Sequence, residues 1–324
     1  MKARRTYSRG LRRESRNMAK TKKVKRRWMT IKSRETLTFY LLTFPAIIMF
    51  FFAKIWPMVW GIQKSFTNYN GFNNGFEQNV GLDNYVRVFT DGEAMPALFR
   101  TFKLGLIIVP ITIIMCNVMA ILLTSLPKGL PIYRVIYYIP SILPLISATL
   151  MWQGSLTTDG VMNAIIGLFG AEPVNWLGYD YIVWSLVFLM VWGCGSGILT
   201  NIAAMKAIPT ELYEAAEIDG ASYIQKLTKI TLPLISNMNA MNLIVGVIVA
   251  LQLFGEPVLL SGASLTGIPL EPIYTYMVHV YQQIFVNLRF GYGLALTWVV
   301  VIVITTATSI VQGINNKVTA ERDY

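Results

Sequence analysis

"ELYEAAEIDGASYIQKLTKITLPL" runs from Glu211 to Leu234 and is the most polar, most punctuated stretch inside an otherwise apolar chain. Four acids, Glu211, Glu214, Glu217 and Asp219, fall within nine residues; Gly220 closes them off, and Pro233 stands at the mouth of the next apolar run. Pro209 suits a helix start, and Thr210 is a candidate N-cap. The acids crowd the early turns, where the positive end of a helix favours carboxylates. Leu212, Ala215 and Ala216 recur at i, i+3 and i+4, so one face of this helix is narrow and apolar. Gly220 is the residue type that stops a helix in the left-handed conformation. The next piece, "ASYIQKLTKI", places Tyr223, Ile224, Leu227 and Ile230 on one stripe. The pattern predicts a short small-faced helix, a forced corner, and a second amphipathic piece feeding into the following run. A loop that merely joins two elements needs no Ala-Ala face with a set stop. A compact helix of this shape suits a groove in a partner.

The surroundings make lipid the main solvent. Of 324 residues, 54% are hydrophobic and 14% charged, with a mean hydropathy of +0.49. A soluble chain carries roughly a quarter charged residues. The fold class is therefore all-α: a polytopic integral membrane protein with six transmembrane helices, each near the ~20 residues a bilayer core requires. These spans are expected at about 37–62, 100–125, 132–156, 182–205, 235–258 and 290–315. The first apolar run begins near Leu37 with no small-residue cleavage pattern after it, so no cleavable signal peptide is expected. Asn84 to Thr90 are expected to form a short helix lying on the membrane surface.

Charge is distributed in a telling way. Residues 1–34 hold fifteen Lys and Arg against one acid, Glu14, whereas the remaining 290 residues sum to −3. Residues 1–34 are thus expected to be a basic cytoplasmic tail, partly disordered and touching anionic membrane lipid. Nothing else in the chain offers a base-reading surface, so no nucleic-acid partner is expected. Residues 35–324 form the six-span domain. Its predicted inner segments carry Lys128, Arg134, Lys206, Lys226, Lys229, Lys317 and Arg322. The longer outer segments are acidic, with Glu77, Asp83, Asp91, Glu93, Asp159, Glu172, Asp180 and Glu271. The positive-inside rule then puts both termini, and the 210–226 region, in the cytoplasm.

Several chemistries are poorly supported. The single histidine, His279, cannot build a zinc site alone and reads as an ordinary polar residue of the outer surface. Cys116 and Cys194 lie in apolar runs and read as inert hydrophobes. No Gly-Lys pair occurs, so a phosphate-cradling G-x-x-x-x-G-K-[ST] loop is absent. No catalytic set stands out, and the chain does not read as an enzyme.

"EAAEIDGASYIQKLTKITLPL" resembles the EAA loop of the membrane permease subunits of binding-protein-dependent ABC importers. Glu214, Ala215, Ala216, Gly220, Ile230, Leu232 and Pro233 stand at that motif's spacing. The lead-in "AIPTELYEAAEIDGAS" resembles the sugar-permease branch, alongside maltose- and glycerol-phosphate-type subunits. "VGLDNYVRVFTD", "YYIPSILPLISATLMWQ" and "LQLFGEPVLLSGAS" resemble other stretches of that branch, and the likeness covers roughly residues 37–315. The proline often found a few residues beyond Leu-Pro is replaced here by Asn237 or Met238.

The resemblance implies a type I ABC importer permease fold in a bacterial cytoplasmic membrane. It implies a homologous second permease subunit, a cytoplasmic ABC ATPase dimer and an extracytoplasmic solute-binding protein as partners. It also implies that Glu214, Ala215, Ala216, Asp219, Gly220 and Pro233 belong to a coupling helix region gripped by the ATPase. This chain would bind no cofactor; ATP and Mg would sit on the partner ATPase. The solute would be a sugar or oligosaccharide, or alternatively a non-sugar solute such as a glycerol phosphodiester. An ion-coupled secondary carrier is the competing class, and it lacks the paired intramembrane carboxylates such carriers use.

The solute path must run between spans. Sugars offer C–H faces to aromatic rings and hydroxyls to amides. Trp192, Cys194 and Ser196 are candidates one span before the coupling helix, and Gln252, Phe254 and Glu256 near the outer half of span five. Ser147, Trp152 and Asn117 complete the set. Packing is the competing role for each, and Glu256 also suits the outer interface. In "YYIPSILPLISA", Pro140 and Pro144 predict either two kinks or a bent helix lining the path. In "WGCGSG", Gly193, Gly195 and Gly197 permit close helix approach.

Overall fold

The computed structural model describes residues 35–320, apart from 37, 73, 74, 76, 126–129 and 265. The basic tail, Lys128 and Arg322 lie outside the described residues. Those described contain helices and one isolated bridge, Thr67 to Asn79, but no strand. The chain divides into two compact units, 1–63 and 64–324.

The first unit supplies most of α1, Thr38–Ser65, an apolar helix long enough to cross a membrane. A π-helical turn, Phe51–Ile55, lies just before Pro57. Proline has no N–H and its ring collides with the carbonyl four residues back. Widening that turn relieves the clash without breaking the helix.

The second unit opens with α2, Asp83–Thr90, close to the expected surface helix. Two long continuous helices follow the expectation: α3, Ala94–Thr124, starts earlier than expected and ends one residue short of it, and α14, Phe290–Ala320, runs past the expected end. Three further crossings are bent pairs. Helix α4, Leu130–Ile142, turns by 98° into α5, Leu145–Ser155. After α6, Val161–Gly167, helix α7, Ile182–Trp192, turns by 46° into α8, Gly195–Lys206. Past α9, Thr210–Ile218, helix α10, Tyr223–Leu234, turns by 62° into α11, Ser236–Leu251. With each bent pair taken as one span, the described chain has six.

Two expectations are refined. The third span is not one rod with harmless kinks. Pro144 takes an extended conformation (φ −56°, ψ 129°) and starts a separate helix at nearly a right angle. The fifth apolar helix ends at Leu251 rather than 258, and residues Gly255–Leu260 form a separate short helix, α12. A last short helix, α13, Tyr276–Tyr281, precedes α14.

Helix α3 is the central rod, packed against α7, α8 and α11. Close approach depends on a glycine. A Cβ on Gly195 would run into the Tyr137 carbonyl, so only glycine lets α8 press against α4. In lipid such contacts matter because packing, not water exclusion, drives helix association. One apolar cluster, around Leu104, Ile108, Leu156, Ile182 and Leu253, is joined by the residues near Ile273. A second, around Ala120, Leu123, Ile198, Ile202 and Ile235, seats the end that carries α9 and α10.

Candidate functional site

The corner predicted from the sequence is present. Helix α9 begins at Thr210, and Pro209, in an extended conformation, occupies the cap position. Thr210 is therefore the first helical residue rather than the N-cap, and no side chain caps this end. The other end closes on Gly220, whose φ is +75°. The Ala221 N–H donates to the Ala216 carbonyl at 2.8 Å and the Gly220 N–H to the Glu217 carbonyl at 3.0 Å. This pair of bonds is the Schellman arrangement. Ser222 then starts α10 with a reciprocal capping box: the Gln225 N–H donates to Ser222 Oγ, and the Ser222 N–H donates to Gln225 Oε1 at 2.7 Å.

Two side-chain ties brace the corner. Lys226 Nζ meets Glu217 Oε1 at 2.6 Å. The Tyr213 hydroxyl and Thr231 Oγ1 lie 2.9 Å apart. Pro233 follows a second π-helical turn, Leu227–Thr231, in the same relation as Pro57 to its own. The corner is thus a rigid right-handed-to-left-handed stop.

No residue of α9 is buried. Glu214, Ala215 and Asp219 are exposed and Ala216 half-buried. Large apolar side chains beside them are also exposed: Leu212 at 44%, Ile218 at 88% and Ile224 at 69%. Exposed apolar patches of this kind are found at interaction surfaces. The sequence reading missed Ile218 as part of the patch and Tyr213 as its anchor. Ile218 sits three residues after Ala215, so its spacing did carry the signal.

Between α3, α7, α8 and α11 lies a mostly apolar cavity of about 340 Å³. Cys194 and Ser196 line it, together with Thr112, Gly197, Thr200 and Asn242. The other path candidates separate from these two. Trp192 packs edge-on against Trp152, centroids 5.9 Å apart. Phe254 packs on Tyr281 at 4.8 Å. Gln252 is exposed just past the end of α11, and Ser147 is exposed on α5. Glu256 does not sit at an exposed interface; it is buried, 6% accessible, in the first turn of α12.

Asn117 belongs to a feature that no single residue announced. Asn201 Nδ2 donates to Asn117 Oδ1 at 3.2 Å and to Asn239 Oδ1 at 3.4 Å, and Asn242 Nδ2 donates to Asn201 Oδ1 at 2.9 Å. Asn117 Nδ2 closes the ring on Asn239 Oδ1 at 3.0 Å. Four amides from α3, α8 and α11 thus satisfy one another, with Asn201 fully buried at the hub. Such interhelical amide bonds tie spans together in lipid. The set lies on the corner side of the 340 Å³ cavity, and Asn242 belongs to both.

At the opposite end, Arg100 bridges Glu93 and Glu271, each at 3.0 Å. Tyr179 donates to Glu271 at 2.7 Å, and this bond, aided by Arg100, holds the Glu271 carboxyl below the usual range. His279 is not on the surface: it is 2% accessible, with Nδ1 3.0 Å from the Tyr274 hydroxyl. Its burial lowers its pKa, against the pull of Asp91. Asp91 stays low despite its own burial, because it accepts from the Glu93 N–H and the Tyr292 hydroxyl. Among the described residues no cluster of ligating side chains could hold a metal ion.

Comparison with known proteins agrees with this geometry. Residues 24–320 match the family described as "Binding-protein-dependent transport system inner membrane component". The chain is 32% identical over 281 residues to the probable ABC transporter permease protein YesP of Bacillus subtilis, covering 86% of this chain and 90% of that one. It is 29% identical over 293 residues to the arabinooligosaccharides transport system permease protein AraP of Halalkalibacterium halodurans, covering 88% and 89%. The fold resembles that of a bacterial ABC transporter involved in the import of the acidic polysaccharide alginate, with TM-score 0.75, 22% identity, and coverage of 91% and 99%. A permease-type bundle, a stopped and exposed corner helix and a match over nearly the whole chain lead to one conclusion: this protein is a multi-pass member of the inner-membrane permease family of binding-protein-dependent ABC transporters.

Proposed function

We propose that the chain forms half of the pathway of an ATP-driven importer for a sugar or oligosaccharide, paired with a homologous second permease. The observation that carries this reading is the exposed corner at 210–226, a short helix with a fixed glycine stop and an uncovered apolar patch. In this reading a cytoplasmic ATPase dimer, holding ATP and Mg, seats α9 in a cleft. Ala215 and Ala216 keep the inserted face thin, Glu214 supplies a charged contact, and Asp219 with Gly220 sets the exit angle. Pro233 and the π-helical turn before it pass the push into α11. In this reading both termini and the corner face the cytoplasm, which the charge bias supports. An extracytoplasmic binding protein delivers the solute to the opposite end.

The solute class is supported by the sugar-named relatives and by the resemblance to the sugar-permease branch. The 340 Å³ cavity is the strongest candidate for the path within this chain, with Cys194 and Ser196 on its wall. The chain itself does no hydrolysis in this scheme.

The test is uptake into proteoliposomes holding the whole assembly. Uptake of a sugar that requires ATP and persists after collapse of proton and sodium gradients supports the reading. Uptake that follows the ion gradient without ATP would refute it.

A further inference from the structure

A second cavity, about 700 Å³ in volume, lies at the end opposite the corner. The loop after α2, the segment around Thr266, and the stretch from α13 to α14 line it, and it opens broadly to the surface. Two conformational oddities sit in its wall. Helix α13 runs on into a π-helical turn, Gln282–Val286, and Leu288 then has φ +53°. Leu288 is the only non-glycine residue with positive φ among those described. The Asn287 N–H to the Gln282 carbonyl (2.9 Å) and the Arg289 N–H to the Gln283 carbonyl (2.8 Å) hold that turn. Costly backbone of this kind persists where the surroundings over-determine it, and it clusters at functional sites.

The side chains point the same way. His279, Gln282 and Gln283 are each more than nine-tenths buried, and each lines the cavity. His279 Nε2 has no hydrogen-bond partner, Asp91 Oδ2 being 3.7 Å away, but it is sealed from the cavity, so the histidine braces the wall and the polar groups left for a ligand are those of the two glutamines. Gln282 commits its Nε2 to the carbonyls of Thr266 and Gly267, which leaves its Oε1. Gln283 commits its Oε1 to Asn287, which leaves its Nε2. Arg87 lies over the Tyr292 ring at 4.7 Å, and Arg289 is exposed at the rim. Asp91 and Glu93 balance these two cations. The cavity wall therefore carries both donors and acceptors, with two cationic and two anionic side chains among its lining residues. A phosphate or an anionic headgroup would be favoured by a cationic excess, which this lining lacks. A neutral, hydroxyl-rich ring asks for this mixture, and the volume lies in the range of small-molecule sites, about 300–1,000 Å³.

We propose that this cavity is a second saccharide site, which seats neutral sugar units at the outer end, apart from the interspan cavity. The proposal rests on the sugar reading and on the orientation given above.

Saturation-transfer NMR on the full assembly in nanodiscs, without the binding protein, tests it. Maltotriose, α-1,5-arabinotriose and digalacturonate serve as probes. The variants are Asn287→Ala with Arg289→Ala, both exposed, and separately Gln283→Leu; Ser196→Trp fills the interspan cavity as a comparison. Melting curves matching the wild type establish that each variant is folded. The expected result is that a neutral trisaccharide binds, loses at least fivefold in affinity in the Asn287/Arg289 variant, and keeps its affinity in Ser196→Trp. Binding unaffected by the outer variants but lost in Ser196→Trp would overturn the second site and leave the sugar reading standing. Binding of digalacturonate alone, or loss of binding-protein docking without any saccharide signal, would also overturn it. So would silence from all three probes, and proteoliposome uptake would then decide separately whether the sugar reading survives.

Discussion

Gly220→Val is the sharpest perturbation of the corner. Gly220 has φ +75°, and nothing lies within 4 Å of the place a Cβ would occupy. The cost is therefore one of backbone conformation, not collision. A left-handed L-residue costs roughly 1–2 kcal/mol, and a β-branched one falls at the upper end. The Lys226–Glu217 bridge spans the corner, but Glu217 is 64% exposed, so it offsets well under ~1 kcal/mol. A penalty of about 1–2 kcal/mol reduces the population of the stopped corner by a factor of roughly 5–30. ATP hydrolysis and solute uptake should be measured in the same proteoliposomes. Hydrolysis should continue, while uptake per ATP falls at least fivefold. Gly220→Asn should recover most of the coupling, because asparagine tolerates the left-handed region. Normal coupling in Gly220→Val, or equal damage from Asn and Val, would refute the reasoning.

Other perturbations follow from the same structure. Asn201→Leu removes three amide bonds at the hub; at about 0.6 kcal/mol for an interhelical bond in lipid, it should destabilise the bundle by about 2 kcal/mol in detergent unfolding. Thr200→Val, which gives up a 3.4 Å contact to Asn242 and a bond to the Gly197 carbonyl one turn back in its own helix, leaves the three hub bonds in place and should cost clearly less than Asn201→Leu in that assay. His279 has a pKa below its unfolded value of about 6.5, so its contribution is complete above that pH and declines as pH falls below it. Melting temperature should therefore drop between pH 7 and pH 5, and His279→Gln should flatten the drop; Asp91, held low, stays charged through that window. Glu271→Gln should leave the melting temperature almost unchanged, because the carboxylate is 62% exposed and solvent screens its bridge to Arg100.

Much of this molecule was legible because lipid enforces simple rules. Long apolar runs such as 94–124 and 290–320 had to be helices. Gly220 was legible because a polar helix that stops short of another helix needs a left-handed residue. The corner's narrow apolar face was legible from Leu212, Ala215 and Ala216 at helical spacing. The angle between α4 and α5 was not, since Pro144 announces a break but not its size. His279 was misplaced because burial depends on Asp91 and Tyr274, which are respectively 188 and five residues away. The asparagine ring needed three helices in register, and no local pattern encodes that. The path candidates scattered for a related reason. Trp152 and Trp192 lie on separate spans and meet each other, so aromatic character alone did not separate packing from a path wall.

The central claim is that α9 is gripped by a nucleotide-hydrolysing subunit. Ala215→Cys tests it most directly, because Ala215 is exposed whereas Cys116 is buried and Cys194 half-buried between spans, out of an aqueous reagent's easy reach. Cross-linking in native membranes should capture an ATPase subunit from residue 215, with a yield that changes when ATP is bound. Capture of lipid or this chain alone, with or without ATP, would contradict the account.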